Sequence, residues 1–248
     1  AADLAQVELG QEVLVQLNHP VFQWHLLVAA EESNTNLLNA LARSFEKASA
    51  LLYDASDGQM KFGLVVITGG VASGSAAWKD ADLYVQAGNL DEPSVTKVEG
   101  MWSPAASENH KMIFGATMQG QGSTNELYYR ALVKQFARYG LGLYRENYNG
   151  KGNAAEWAAY RAANLDKAPN SYGIMDGAGG ATELSSYNDY LPSYPNNPKK
   201  DEVTEQYYQT SQGDAAGKAC WQALEGRFQT TYSNFPVEIL VPQRGYYD

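Results

Sequence analysis

Cys220, His19, His25 and His110 are the residues best suited by type to grip a metal ion, and their spacing argues against it. Zinc takes imidazole, thiolate or carboxylate ligands closing on one centre. A single cysteine cannot form an internal disulfide or a thiolate zinc site. No two of the three histidines lie within a helical turn of each other. His19 falls in an Asn18-His19-Pro20 turn and His25 in the apolar run Trp24-His25-Leu26-Leu27-Val28, so each reads as a structural or surface residue. Other stretches imitate binding loops without completing them. Gly69-Gly70-Val71-Ala72-Ser73-Gly74-Ser75 is glycine-rich after a strand, but it lacks the Gly-Lys-[Ser/Thr] ending of a phosphate loop and no clear helix is expected behind it. Asp54, Asp57 and Gly58 miss the calcium-loop spacing and suit a helix-ending turn. Asp176-Gly177-Ala178-Gly179-Gly180 reads as a tight turn. There is no Gly-x-Ser-x-Gly elbow for a serine nucleophile, and Cys220 on the apolar side of a helix reads as a buried thiol.

The elements that must position these residues follow from periodicity. Val13-Leu14-Val15-Gln16-Leu17 and Trp24–Val28 read as strands. Leu37, Leu38, Leu41, Phe45, Ala48, Leu51 and Leu52 recur at steps of three and four, which predicts a helix capped by Asn34 or Asn36. Met60–Thr68, Ala81–Val85 and Lys111–Phe114 read as strands. Ser123-Thr124-Asn125-Glu126 forms a capping box. It predicts a helix to Tyr139 with Leu127, Ala131, Leu132, Gln135 and Tyr139 along one side, ended by Gly140 and Gly142. Further helices are predicted over 153–164 and 215–228, the latter burying Ala219, Cys220, Ala223, Leu224 and Phe228. Pro192, Pro195 and Pro198 exclude regular helix over 187–200. The order predicts one α+β domain over 1–248, with a strand-and-helix part to about 122 and a mostly helical part from about 123.

Composition bounds the function. The 248 residues are 44% hydrophobic and 19% charged, enough to fold one large domain, and carry a net charge of −10 with a pI near 4.8. So acidic a chain does not suit nucleic acid, whose phosphates need a basic face. No apolar run reaches the eighteen or so residues of a membrane span. The first residue is Ala1, which suggests either a removed signal peptide or a fragment. Tyr187, Tyr190, Tyr194, Tyr207, Tyr208, Tyr246 and Tyr247 fall in polar, turn-rich stretches, where tyrosine suits either interfaces and sugar binding or local packing.

The segment Leu132-Val133-Lys134-Gln135-Phe136-Ala137-Arg138-Tyr139-Gly140-Leu141-Gly142-Leu143-Tyr144-Arg145-Glu146-Asn147-Tyr148 resembles the zinc helix of peptidases related to the N-terminal domain of calcium-activated chloride channel regulators, of the form L-x-H-E-[FW]-[GA]-H-x-x-x-G-[LV]-[YF]-D-E-Y. Other pieces resemble that group in the same order. They are the helix and turn over Ala48–Gly58, and Trp78 with Ala81-Asp82-Leu83. Next come Ser171-Tyr172-Gly173-Ile174-Met175 at the Met-turn, Glu183-Leu184-Ser185, Thr204-Glu205-Gln206 and Cys220-Trp221-Gln222-Ala223-Leu224. The resemblance covers roughly residues 35 to 226. It implies a zincin-like single domain with a mixed sheet, a degenerate active-site helix and Met175 beneath the metal locus.

What the resemblance implies about chemistry is a dead site. In HExxH the two histidines share a helical face and the glutamate activates the bound water. Lys134 and Arg138 hold the histidine positions, Gln135 the base position and Arg145 the third-ligand position, with Glu146 beside it. A guanidinium stays protonated and repels a metal cation, and an amide takes up no proton. The expectation is a protein without cofactor or metal and not an enzyme, secreted or at the cell surface. It would bind a protein partner, itself or a glycan, and not nucleic acid. An active hydrolase with a rearranged site, or a carbohydrate-binding module in the old cleft, are the alternatives. Lys134, Arg138 and Arg145 could pair with Glu146, Asp176 or Glu183, hold an anion, or lie on a solvated face.

Overall fold

The computed structural model describes residues 21–98, 110–145, 174, 175, 184 and 220–231. The predicted strand at 13–17, the helix at 153–164, the tyrosines from Tyr187 onward, His19, Glu146, Asp176 and Glu183 lie outside the described residues.

Strand β1 (Phe22–Ala30) is an interior strand of the sheet, with Leu26, Val28, Ala29 and Ala30 buried. It pairs in parallel with β2 (Met60–Thr68) on one side and with β3 (Leu83–Asn89) on the other. Beyond β3 lies β5 (Met112–Met118), again parallel, and then the short antiparallel β4 (Ser94–Val95). The order is β2-β1-β3-β5-β4, with β6 (Gln121–Gly122) folded back on β5. A mixed sheet with helices packed on it is thus the observed architecture, in line with the expected α+β class.

Helix α1 (Thr35–Ala55) starts where the Asn34 side chain accepts the Asn36 amide at 2.9 Å. It buries Leu41, Phe45, Ala48, Leu51 and Leu52, the stripe predicted from spacing. Its end at Ser56, Asp57 and Gly58 is a plain turn, with positive φ at Asp57 and Gly58 and the Gly58 amide on the Tyr53 carbonyl at 2.8 Å. That is a helix stop rather than a calcium loop.

Several expectations need correction. Trp78 belongs to a short helix, α2 (Ala76–Asp80), capped by Ser75, and the strand begins later at Leu83. A helical turn therefore does follow the Gly69–Ser75 loop. Helix α3 (Glu126–Tyr139) is capped by Asn125, whose side chain accepts the Leu127 amide at 2.9 Å. Ser123 instead gives its backbone carbonyl to the Ser44 hydroxyl, which ties the loop to α1. Most of the predicted face holds, with Leu132, Gln135 and Tyr139 buried and Ala131 partly so. Leu127 is 46% exposed, and the buried stripe runs through Tyr128, Leu132, Phe136 and Tyr139. Helix α4 (Cys220–Thr231) buries Cys220, Trp221, Ala223 and Leu224, three of which were expected on its inner side.

One core joins the inner face of the sheet to α1, α3 and α4. Phe136 lies at its centre, edge-on to Trp24 at 5.3 Å and to Phe62 at 4.8 Å. A smaller cluster on the opposite face packs Ala29, Val71, Ala81 and Tyr84 with Trp78.

Candidate functional site

Helix α3 carries Lys134, Gln135 and Arg138, and the chain returns along its last turn bearing Arg145. The return is built by Gly142, whose φ of +62° lies in the left-handed region open to glycine. The Gly140 amide bonds the Phe136 carbonyl at 2.6 Å and the Leu143 amide bonds the Ala137 carbonyl at 2.9 Å, closing the helix end. Leu141 and Leu143 are sealed in the core and anchor the segment that positions Arg145.

Gln135 is only 4% exposed, and its Oε1 accepts Arg138 Nη1 at 2.8 Å. The Gln135 side chain is therefore an amide used as an acceptor. Lys134 and Arg138, four residues apart on one face, are half-buried rather than fully solvated, as is Arg145. Burial, with the charge of Arg145 adding to it, draws the Arg138 guanidinium below its ordinary range. The structure therefore places Arg138 and Arg145 within electrostatic reach of each other. The Nε atoms of both are buried and lack a hydrogen-bond partner. Met175 is fully buried in the same core. Among the described residues, no three of His, Cys, Asp and Glu come together as a metal site would require.

A second polar cluster stands behind the end of α3. Asp82 accepts the Leu27 amide at 2.7 Å through Oδ2 and the Tyr139 hydroxyl through Oδ1. His110 packs its ring 4.5 Å from that of Tyr139 and bonds the Lys97 carbonyl at 3.0 Å. Lys111 is fully buried, with Nζ on the Trp78 and Lys79 carbonyls and 3.7 Å from the Trp78 ring centroid. Burial lowers its pKa, opposed by Asp82 and then Asp80. Sequence reasoning missed this cluster; the only trace was a lysine immediately before an apolar strand. His25 is exposed on β1, remote in role from it. Since Asp82 ties β1 to α3, Asp82→Ala is expected to cost about 2 kcal/mol, the worth of one or two hydrogen bonds to a charged group. Urea titration checks it, and the loss should shrink in a Tyr139→Phe background, where one bond is already gone.

No family model matches the chain, and no curated protein matches it. Among solved structures the chain is distantly similar to myroilysin, a metallopeptidase, at 13% identity and a TM-score of 0.36, over 68% of this chain and 77% of that one.

Proposed function

We propose that the protein is a non-catalytic binding or assembly unit on a zincin-like scaffold, working outside the cell or at its surface, in which fixed cations occupy the former metal locus. The observation that carries the reading is Arg138, half-buried at the second ligand position, bonded to the buried amide Gln135 and within reach of the charge of Arg145. A divalent ion there would face permanent positive charge and no base to activate water. The glycine turn after α3 and the buried Met175 support the zincin-like part. The extracellular assignment rests on composition and on the resemblance of the Leu132–Tyr148 segment.

Metal analysis after dialysis against zinc tests the reading. Less than a tenth of an equivalent of bound zinc is expected, together with no chelator-sensitive peptidase activity. One equivalent of zinc, or proteolysis lost on chelation and restored by zinc, would contradict it.

A further inference from the structure

The donors of the two arginines are not used up by the protein. A guanidinium carries five N–H groups in a rigid fork. Arg138 gives Nη1 to Gln135, which leaves the edge formed by Nε and Nη2, and that Nε is buried with no partner. Arg145 likewise buries an Nε with no partner. Among the described residues no carboxylate pairs with either; the ion pair on α3 is Arg130 with Glu126 at 2.7 Å, at the opposite end of the helix. The C-terminal end of α3 contributes about half a negative charge, against two full positive ones, so among the described residues the balance at this end is positive. Both side chains are half-buried, which leaves them partly open to solvent. The Leu143 amide on the Ala137 carbonyl folds the segment bearing Arg145 back on the last turn of α3, which bears Arg138, and guanidinium N–H forks are the donor set that fits an oxyanion bidentately.

We propose that Arg138 and Arg145 together hold a doubly charged oxyanion of the sulfate or phosphate class at the C-terminal end of α3. The inference rests on the reading of this locus as a metal site taken over by cations. Two negative charges match two guanidinium groups, where a single carboxylate would leave one uncompensated. The anion would supply the acceptors that the buried Nε atoms lack.

The test is calorimetric titration of the full chain with sodium sulfate and with sodium phosphate, at ionic strength held constant with sodium chloride. Saturable one-to-one binding is expected. It should weaken about tenfold or more in Arg138→Gln and in Arg145→Gln, as the loss of a charge-assisted fork implies. Binding should be unchanged in Arg43→Gln, which alters an exposed charge on α1. Arg138→Lys and Arg145→Lys keep the charge without the fork and should fall between. They also keep the proposal falsifiable if a glutamine variant does not fold. N-acetylglucosamine 6-phosphate, whose monoester carries close to two charges above pH 7, separates the sources: tighter binding than free phosphate assigns the anion to a phosphorylated sugar, and equal or weaker binding assigns it to the free ion. Heats indistinguishable from chloride, or wild-type affinity in either arginine variant, would overturn the proposal. With the protein free of zinc, that failure leaves the non-catalytic reading standing, whereas bound zinc overturns the reading itself.

Discussion

Phe136→Ala is expected to destabilise the protein by about 3–5 kcal/mol, the range for truncating a fully buried aromatic. The ring is inaccessible to solvent and edge-packed against Trp24 and Phe62, so its removal opens a void between α3 and the sheet. Such edge-to-face pairs add to the area term. In a thermal scan the loss should lower Tm by on the order of 10 °C. Gly140 supplies an internal control. A Cβ at that position would stand 2.5 Å from the Phe136 ring, so Gly140→Ala should destabilise by forcing the ring aside. In Phe136→Ala the obstruction is gone and the same change should cost much less. Additive losses would show that the ring does not rest against the glycine.

Alkaline pH should unfold the protein steeply. Burial raises the pKa of Tyr128, whose hydroxyl donates to the Gly115 carbonyl at 2.9 Å. Burial and then Asp82 raise that of Tyr139. Both therefore hold their protons in the folded state after the unfolded chain has begun to lose them near pH 10. Their contribution is fully present below that pH and is lost as pH rises toward the folded values. The slope is about 1.4 kcal/mol per pH unit for each group, or about 3 for the pair. Lys111 acts oppositely. Its lowered pKa means that stability rises as pH passes from its folded value to the ordinary lysine range, a gain complete by about pH 10.5. The fall should dominate above that point. Stopped-flow absorbance at 295 nm should show tyrosinate from these two residues appearing only with global unfolding, and Tyr139→Phe should halve the slope. Tyrosinate appearing fully before the loss of secondary structure would contradict it.

Where the sequence carried a periodic signal, the fold was legible. Met60–Thr68 and the stripe from Leu41 to Leu52 follow from alternation and from steps of three and four. Helix α3 was legible in extent and in most of its buried face, but not in its cap. Ser123 and Asn125 are both good caps; Asn125 takes the role, while the Ser123 carbonyl accepts the hydroxyl of Ser44, 79 residues away. Local capping rules contain nothing of that contact. The site divides in the same way. Arg138 and Gln135 are three residues apart on one helix, so their bond could be anticipated. The approach of Arg145 depends on the turn at Gly142, which the glycine announced. Asp82 with Tyr139, 57 residues apart, and the burial of Lys111 against Trp78 arise only when β3, β5 and α3 meet. The carboxylate charge partners suggested by the sequence, Glu146, Asp176 and Glu183, lie outside the described residues.

On the proposed reading, Arg138 and Arg145 stand where a zincin would grip zinc. Crystals grown with excess zinc and measured on both sides of the zinc absorption edge address it directly. The account predicts no anomalous peak within bonding distance of Gln135, Arg138 or Arg145, and an oxyanion or solvent density between the two arginines. A full-occupancy zinc peak at that position would contradict it.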